Sequence, residues 1–276
     1  MSIFTLPSTT TRVHLTPDLT QDQLLGFAPF VSWLSRLRHS LSLQSSSCGH
    51  PFHNEAYALH SITVQAVDFF GSGDNKRIGF LKLSTSIRNS GGDTLPGAVF
   101  LRGGSVAILL ILEPEGPDGV VSERWVVLTV QPRIPAGSLE MIELPAGMLD
   151  DAGTFSGAAA KEIWEECGIE IPAEKLIDIT ALALKDLAGG ERESLEEAIY
   201  PTPGGSDEFL KIFAHVHRIP KDTLGDWQGR LTGLRDHGEK ITLKLVKLKD
   251  LWKETRDAKA LSAIALWDGL EREGKI

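Results

Sequence analysis

Three glutamates, Glu162, Glu165 and Glu166, stand at i, i+3 and i+4 in a segment, Phe155–Gly168, that reads as a helix. That spacing sends all three carboxylates to one side. Left alone they repel, at a cost of ~0.2–0.5 kcal/mol per pair on an exposed helix. A divalent cation among them reverses the sign, and Mg²⁺ is characteristically held by a few carboxylates together with substrate phosphates. The competing reading is a solvated acidic face, softened by an i,i+4 pair between Lys161 and Glu165, and on the helix alone that is the plainer one.

The surrounding residues change the balance. The stretch Glu143–Ile169 reads ELPAGMLDDAGTFSGAAAKEIWEECGI, a Pro/Gly loop, an acidic turn and the carboxylate-bearing helix. Counted from Gly147, it resembles the Nudix box: Gly, five residues, Glu, seven residues, then Arg-Glu-U-x-Glu-Glu-x-Gly-U, with U a bulky aliphatic. Positions 161–169 match in register except that Lys161 stands for Arg. The first Glu of the box falls on Gly153, with Asp150 and Asp151 nearby but out of register. Lys161 keeps the charge but lacks the planar fork of Arg. Further patches are similar to the ADP-sugar pyrophosphatase branch of the family, known from plants: Phe70–Leu83, Pro96–Leu112, Thr202–Glu208 (TPGGSDE), Gly233–Glu239 (GLRDHGE) and Leu251–Leu261, which carries T-x-D-A-K.

The resemblance implies a Nudix α/β/α sandwich with a mixed sheet, preceded by a smaller β-rich N-terminal domain. It implies metal-dependent hydrolysis of the diphosphate linkage of ADP-sugars such as ADP-ribose and ADP-glucose, giving AMP and a sugar phosphate. Mg²⁺ would be the cofactor, with Mn²⁺ as substitute. Glu162 and Glu166 would be the principal ligands, joined by the Ala146 carbonyl. Glu165 would be a further ligand or a base. Glu239, from the late loop, would join the metal site or activate water. Arg133 would bind phosphate, while Gly204, Gly205 and Glu208 would meet the sugar. A homodimer is expected, with the N-terminal region completing the partner's pocket. Two alternatives remain: another nucleoside diphosphate substrate (NADH, a dinucleoside polyphosphate, coenzyme A), or a module that binds nucleotides without cleaving them.

Other patterns are weaker. Cys48, His50 and His53 supply three ligand types but no second pair, so zinc is not expected. His237, two residues from Glu239, is a solvated histidine or an alternative base. Cys167 lies among glutamates, which raise a thiol's pKa. Trp164 is read as core packing. Gly147 is assigned a tight turn and Gly168 the helix C-cap.

These residues need a scaffold. Val106–Leu112 is a run of seven apolar residues, too short for a bilayer and suited to a strand buried on both faces. Strands are expected at Tyr57–Phe70, Lys76–Arg88, Gly97–Leu101, Ser105–Leu112, Arg124–Val130, Leu210–Val216 and Ile241–Val246. Helices are expected over 21–44, interrupted near Pro29, and over Thr255–Arg272. A Ser/Gly/Pro cluster near 90–96 divides an N-terminal region, 1–95, from a Nudix domain, 96–276. The chain has 276 residues, 42% of them apolar, enough for a sizeable core. A net charge of −9 without basic clusters argues against nucleic acid as partner, and no membrane span is visible. Two cysteines give no disulfide framework, consistent with a cytoplasmic protein. The Ser/Thr-rich, acid-free first 17 residues leave organellar import open.

Overall fold

The computed structural model describes residues 2–46, 49–73, 76–121, 123–149, 154–185, 193–234 and 239–276. The chain forms two compact units. The first comprises Met1–Gly104, Ala188–Glu196 and Thr202–Phe209, and the second the remainder.

The first unit is built on β1 (Ile3–Thr5), β2 (Arg12–His14), α1 (Gln21–Gly26), α2 (Ala28–Ser46), β3 (Ala58–Phe70), β4 (Arg77–Arg88), β5 (Thr94–Leu95) and β6 (Ala98–Leu101). The strands expected at Tyr57–Phe70 and Lys76–Arg88 are present and paired: β3 and β4 run antiparallel, Ile62 opposite Thr85 and Val64 opposite Leu83. Strands β1 and β2 escaped the sequence reading because three residues give no usable period. The break near Pro29 is also present, since α1 ends at Phe27 and Pro29 lies in the first turn of α2, where a missing N–H costs nothing. Leu24, Phe30 and Leu34 pack with Val13, Ile62, Val64, Leu81, Leu83 and Leu101. Chain 202–209 returns to this unit: Asp207 Oδ1 accepts from Arg102 N at 2.8 Å and Gly103 N at 3.2 Å.

The second unit contains β7 (Ser105–Glu115), β8 (Trp125–Arg133), β9 (Ser138–Glu143), β10 (Ala146–Met148), α3 (Phe155–Glu162), β11 (Ile177–Asp178), α4 (Ile179–Leu184), β12 (Leu210–Pro220), β13 (Leu231–Thr232), β14 (Ile241–Lys247), α5 (Leu251–Glu254) and α6 (Ala258–Arg272). Its sheet runs β11-β12-β7-β8-β14-β13, with β10 also on β7 and β9 also on β8. Among the described residues of this sheet β12 and β7 pair parallel and the other strands antiparallel, so the sheet is mixed.

The apolar run is the centre of this sandwich. All of Val106–Leu112 is fully buried, and alternation sorts it between two layers. Ala107, Leu109 and Ile111 pack with Ala260, Ala263, Ile264 and Trp267 of α6. Val106, Ile108, Leu110 and Leu112 pack with Ala159, Ile163 and Cys167 of the carboxylate-bearing helix. No helix among the described residues is long and apolar enough to cross a membrane. Replacing Leu110, 0% exposed under that helix, with Ala is expected to cost ~2–5 kcal/mol of the second unit's stability in urea unfolding.

Candidate active site

The carboxylate-bearing helix is seated by residues four apart. Ala159, Ile163 and Cys167 are all fully buried against the sheet. Thr154 caps its start by accepting from Gly157 N at 3.1 Å, and Gly168 ends it at φ +71°, in the left-handed region. Between them the helix is not uniform: α3 stops at Glu162 and Ile163–Cys167 form a widened, π-type turn. Such turns bond i to i+5 and recur at functional sites.

That turn alters the expected trio. Glu166 is 2% exposed. Its Oε1 accepts from Gln131 Nε2 at 3.1 Å and its Oε2 from Ala146 N at 3.0 Å. Glu162 is close enough to act on it electrostatically. Glu165 instead turns toward Lys161 Nζ, 3.9 Å away. Among the described residues no three His, Cys, Asp or Glu side chains gather as a metal-binding group. Of the expected trio, Glu162 and Glu166 act on one another electrostatically, and Glu165 has an ion pair with Lys161.

Burial is the main reason the Glu166 carboxyl is pushed up to about 8, and the Glu162 charge adds to it, against the bonds from Gln131 and Ala146 and the field of Arg133. Cys167 is raised well above the ordinary thiol range, first by burial and then by Glu166. It is no nucleophile, as its neighbours imply.

Gly147 has a different reason for being glycine from the tight turn expected. It lies in β10, opposite Val106, and a Cβ there would overlap the Glu162 carboxyl group. Close approach, not backbone conformation, is what a side chain there would disturb, by pushing the Glu162 carboxyl aside. Trp164 is 55% exposed, so its assignment to the core is also corrected: the buried stripe at 159, 163 and 167 leaves it outside.

The remaining candidates are placed as follows. The Arg133 Nε donates to Glu143, and its side chain is 39% exposed. Glu239 Oε2 accepts from Leu234 N at 2.9 Å within its own loop. The base of that loop is tied to the helix, for Thr232 Oγ1 donates to Glu166 O at 2.6 Å. In the first unit, Glu208 pairs with Arg102 at 3.1 Å. A Cβ on Gly204 or Gly205 would meet nothing within 4 Å. His50 Nδ1 accepts from Phe52 N at 3.1 Å, and His53 Nδ1 lies 2.9 Å from Gln44 O. Cys48, Asp150, Asp151, Gly153 and His237 lie outside the described residues. A cleft of about 690 Å³ beside Glu115, Arg218 and Lys221 contains none of the expected residues.

Sequence reasoning missed Gln131, which bonds one oxygen of Glu166. For Gln131 a signal existed. Val127, Thr129 and Gln131 alternate onto one face of β8, so the polar Thr129 and Gln131 interrupt an otherwise apolar stripe. Thr129 and Gln131 are both buried, and Gln131 Nε2 also donates to Thr129 Oγ1 at 3.3 Å.

The donor set suits a hard cation. Two carboxylates meet beside a backbone segment, one of them buried with no cationic side chain bonded to it, and oxygen is the ligand Mg²⁺ selects. Gly147→Ala is expected to displace Glu162 while leaving the sheet intact. Mn²⁺ binding followed by electron paramagnetic resonance should weaken about tenfold or more, with an unchanged circular dichroism spectrum.

The NUDIX domain model matches residues 101–267. The chain is similar to Nudix hydrolase 14, chloroplastic, of Arabidopsis thaliana, 39% identical over 249 residues that cover 90% of this chain and 72% of that one. A solved structure described as an ADP compounds hydrolase aligns with TM-score 0.46 and 16% identity over 79% of this chain and 99% of its own, too distant a likeness to speak to substrate. With more than half its length matched by the family model, the chain belongs to the NUDIX family.

Proposed function

We propose that the protein hydrolyses the diphosphate linkage of ADP-sugars, ADP-ribose and ADP-glucose among them, to AMP and a sugar phosphate. The observation that carries the reading is the meeting of Glu162 and Glu166, with Glu166 oriented by Gln131 and the Ala146 amide. Glu162 and Glu166, with the Ala146 carbonyl, would hold Mg²⁺ or Mn²⁺. Bound there, the cation would neutralise the diphosphate and lower the pKa of water.

The chain's own groups would do the rest. Gln131 keeps one Glu166 oxygen aimed while the other faces the Ala146 amide. Arg133 would offer the exposed end of its guanidinium to a phosphate while Glu143 fixes its Nε, a geometry that suits bidentate oxygen recognition. Glu165 and Glu239 are the candidate bases. Lys161 leaves the Glu165 carboxyl only a long ion pair, and Glu239 sits on a loop whose base is bonded to the box helix. Gly204, Gly205 and Glu208 keep the sugar role implied by the resemblance. We also propose a homodimer, which light scattering on the purified chain tests. The chloroplastic relative favours the organellar alternative for its compartment.

Purified protein with ADP-ribose, ADP-glucose, NADH, coenzyme A and a dinucleoside polyphosphate, with and without Mg²⁺, should release AMP from the first two in the metal-dependent arm. Turnover confined to another substrate would move the specificity elsewhere. Nucleotide binding with no turnover in any metal would leave a binding module. Glu166→Gln should depress turnover by orders of magnitude with the fold retained. Near-normal rates would remove Glu166 from the chemistry. Glu239→Gln should lower kcat far more than it changes KM, and the opposite split would make Glu239 a substrate contact.

A further inference from the structure

The start of α6 is stitched to the strand that leads into the carboxylate pair. Thr255 Oγ1 donates to Ile142 O, and Asp257 N donates to Thr255 Oγ1 at 3.0 Å. Asp257 Oδ2 accepts from Leu144 N at 3.0 Å. Lys259 Nζ lies 2.9 Å from both Glu143 Oε2 and Asp257 Oδ1. Three consecutive residues, Ile142, Glu143 and Leu144, are thus gripped by a segment more than a hundred positions away in sequence.

Capping α6 does not require this. An N-cap needs one side-chain oxygen, and Asp257 Oδ1 already supplies it to Lys259 N at 3.0 Å. The second oxygen is spent on Leu144. Lys259 is folded inward with its side chain only 18% exposed, instead of reaching into water, and both its carboxylate partners are about 5% exposed or less. Burying such a set is costly unless every charge is paired, as it is here. Burial works to lower the Lys259 pKa, yet the Asp257 and Glu143 carboxylates outweigh it, so the amine stays charged at neutral pH.

The anchored segment has one output. Two residues beyond Leu144, Ala146 gives its N–H to Glu166, and Gly147 abuts the Glu162 carboxyl. The intervening Pro145 is fixed through its carbonyl by Ile108 N at 2.9 Å. We infer that Asp257 and Lys259 are positioning residues for the Glu162–Glu166 pair, acting through Leu144 and Glu143 on the backbone at Ala146–Gly147. Neither is bonded to the pair. The inference rests on the reading of that pair as a cation site.

The test is Mn²⁺ affinity by electron paramagnetic resonance on the full chain, comparing wild type with Asp257→Asn, Lys259→Met and Lys253→Met. The last removes only an exposed ion pair with Asp250 at 2.8 Å. Far-ultraviolet circular dichroism would verify folding at the measuring temperature. Asp257→Asn and Lys259→Met should each bind Mn²⁺ about tenfold or more weakly, and the Ala146 amide should exchange faster with solvent. Lys253→Met should match wild type. If Lys259→Met does not fold, Asp257→Asn, which keeps the shape of the side chain, decides through both readouts. Folded variants with wild-type Mn²⁺ affinity would overturn the positioning role while leaving the cation site standing. A wild-type protein that binds no Mn²⁺ would instead remove the cation site, and the inference with it.

Discussion

A carboxylate taken out of water beside a second carboxylate is the constraint around which the second unit is arranged. Among the described residues, Glu166 has given up solvent and gained an amide side chain and one backbone N–H. Desolvating a carboxylate costs several kcal/mol even after relaxation, and neutral donors recover part of that. The arrangement persists because each neighbour is itself fixed. Gln131 belongs to a central strand, Ala146 to a short strand paired on β7, and Glu166 to a helix whose other face is packed on that same strand. What looks like a local motif is therefore a property of two strands of one sheet and a helix meeting.

The layers themselves were legible in the amino-acid order. The run Val106–Leu112 has no polar residue, so both of its faces had to be covered, and the two sets of partners follow from alternation. The helix ends were legible too: Gly168 stands where a left-handed residue was needed, and Phe155 follows a Thr that caps. The pieces that went unread are short or non-local. Strands β10, β11 and β13 have two or three residues each, too few for an alternation to repeat. Their existence is decided by neighbours that offer free edges.

Among the site residues, legibility followed the range of the interaction. Glu162 and Glu166 were readable because both lie on one stretch of helix and meet through local geometry. Glu165 lies on the same stretch, where the regular α-helix expected from the sequence gives way to a π-type turn at Ile163–Cys167. The glycine at 147 was given a different physical reason: a side chain there would crowd the carboxyl group of a glutamate fifteen residues later. Glu143, Asp257 and Lys259 had no local signature at all. Their meaning appears only when β9 and α6 are adjacent, and the T-x-D-A-K stretch, taken alone, is an ordinary helix start.

The opened turn at Ile163–Cys167 also bears on portability. A peptide copied from 155–168 would relax in water toward the regular helical pitch, because the sheet beneath Ile163 and Cys167 and the Thr232 hydroxyl on the Glu166 carbonyl would be missing. Its glutamates would then sit at different azimuths from those in the folded chain. Transplanting the consensus onto a designed helix would carry over the letters without the geometry, and a faithful graft would have to import part of two strands as well.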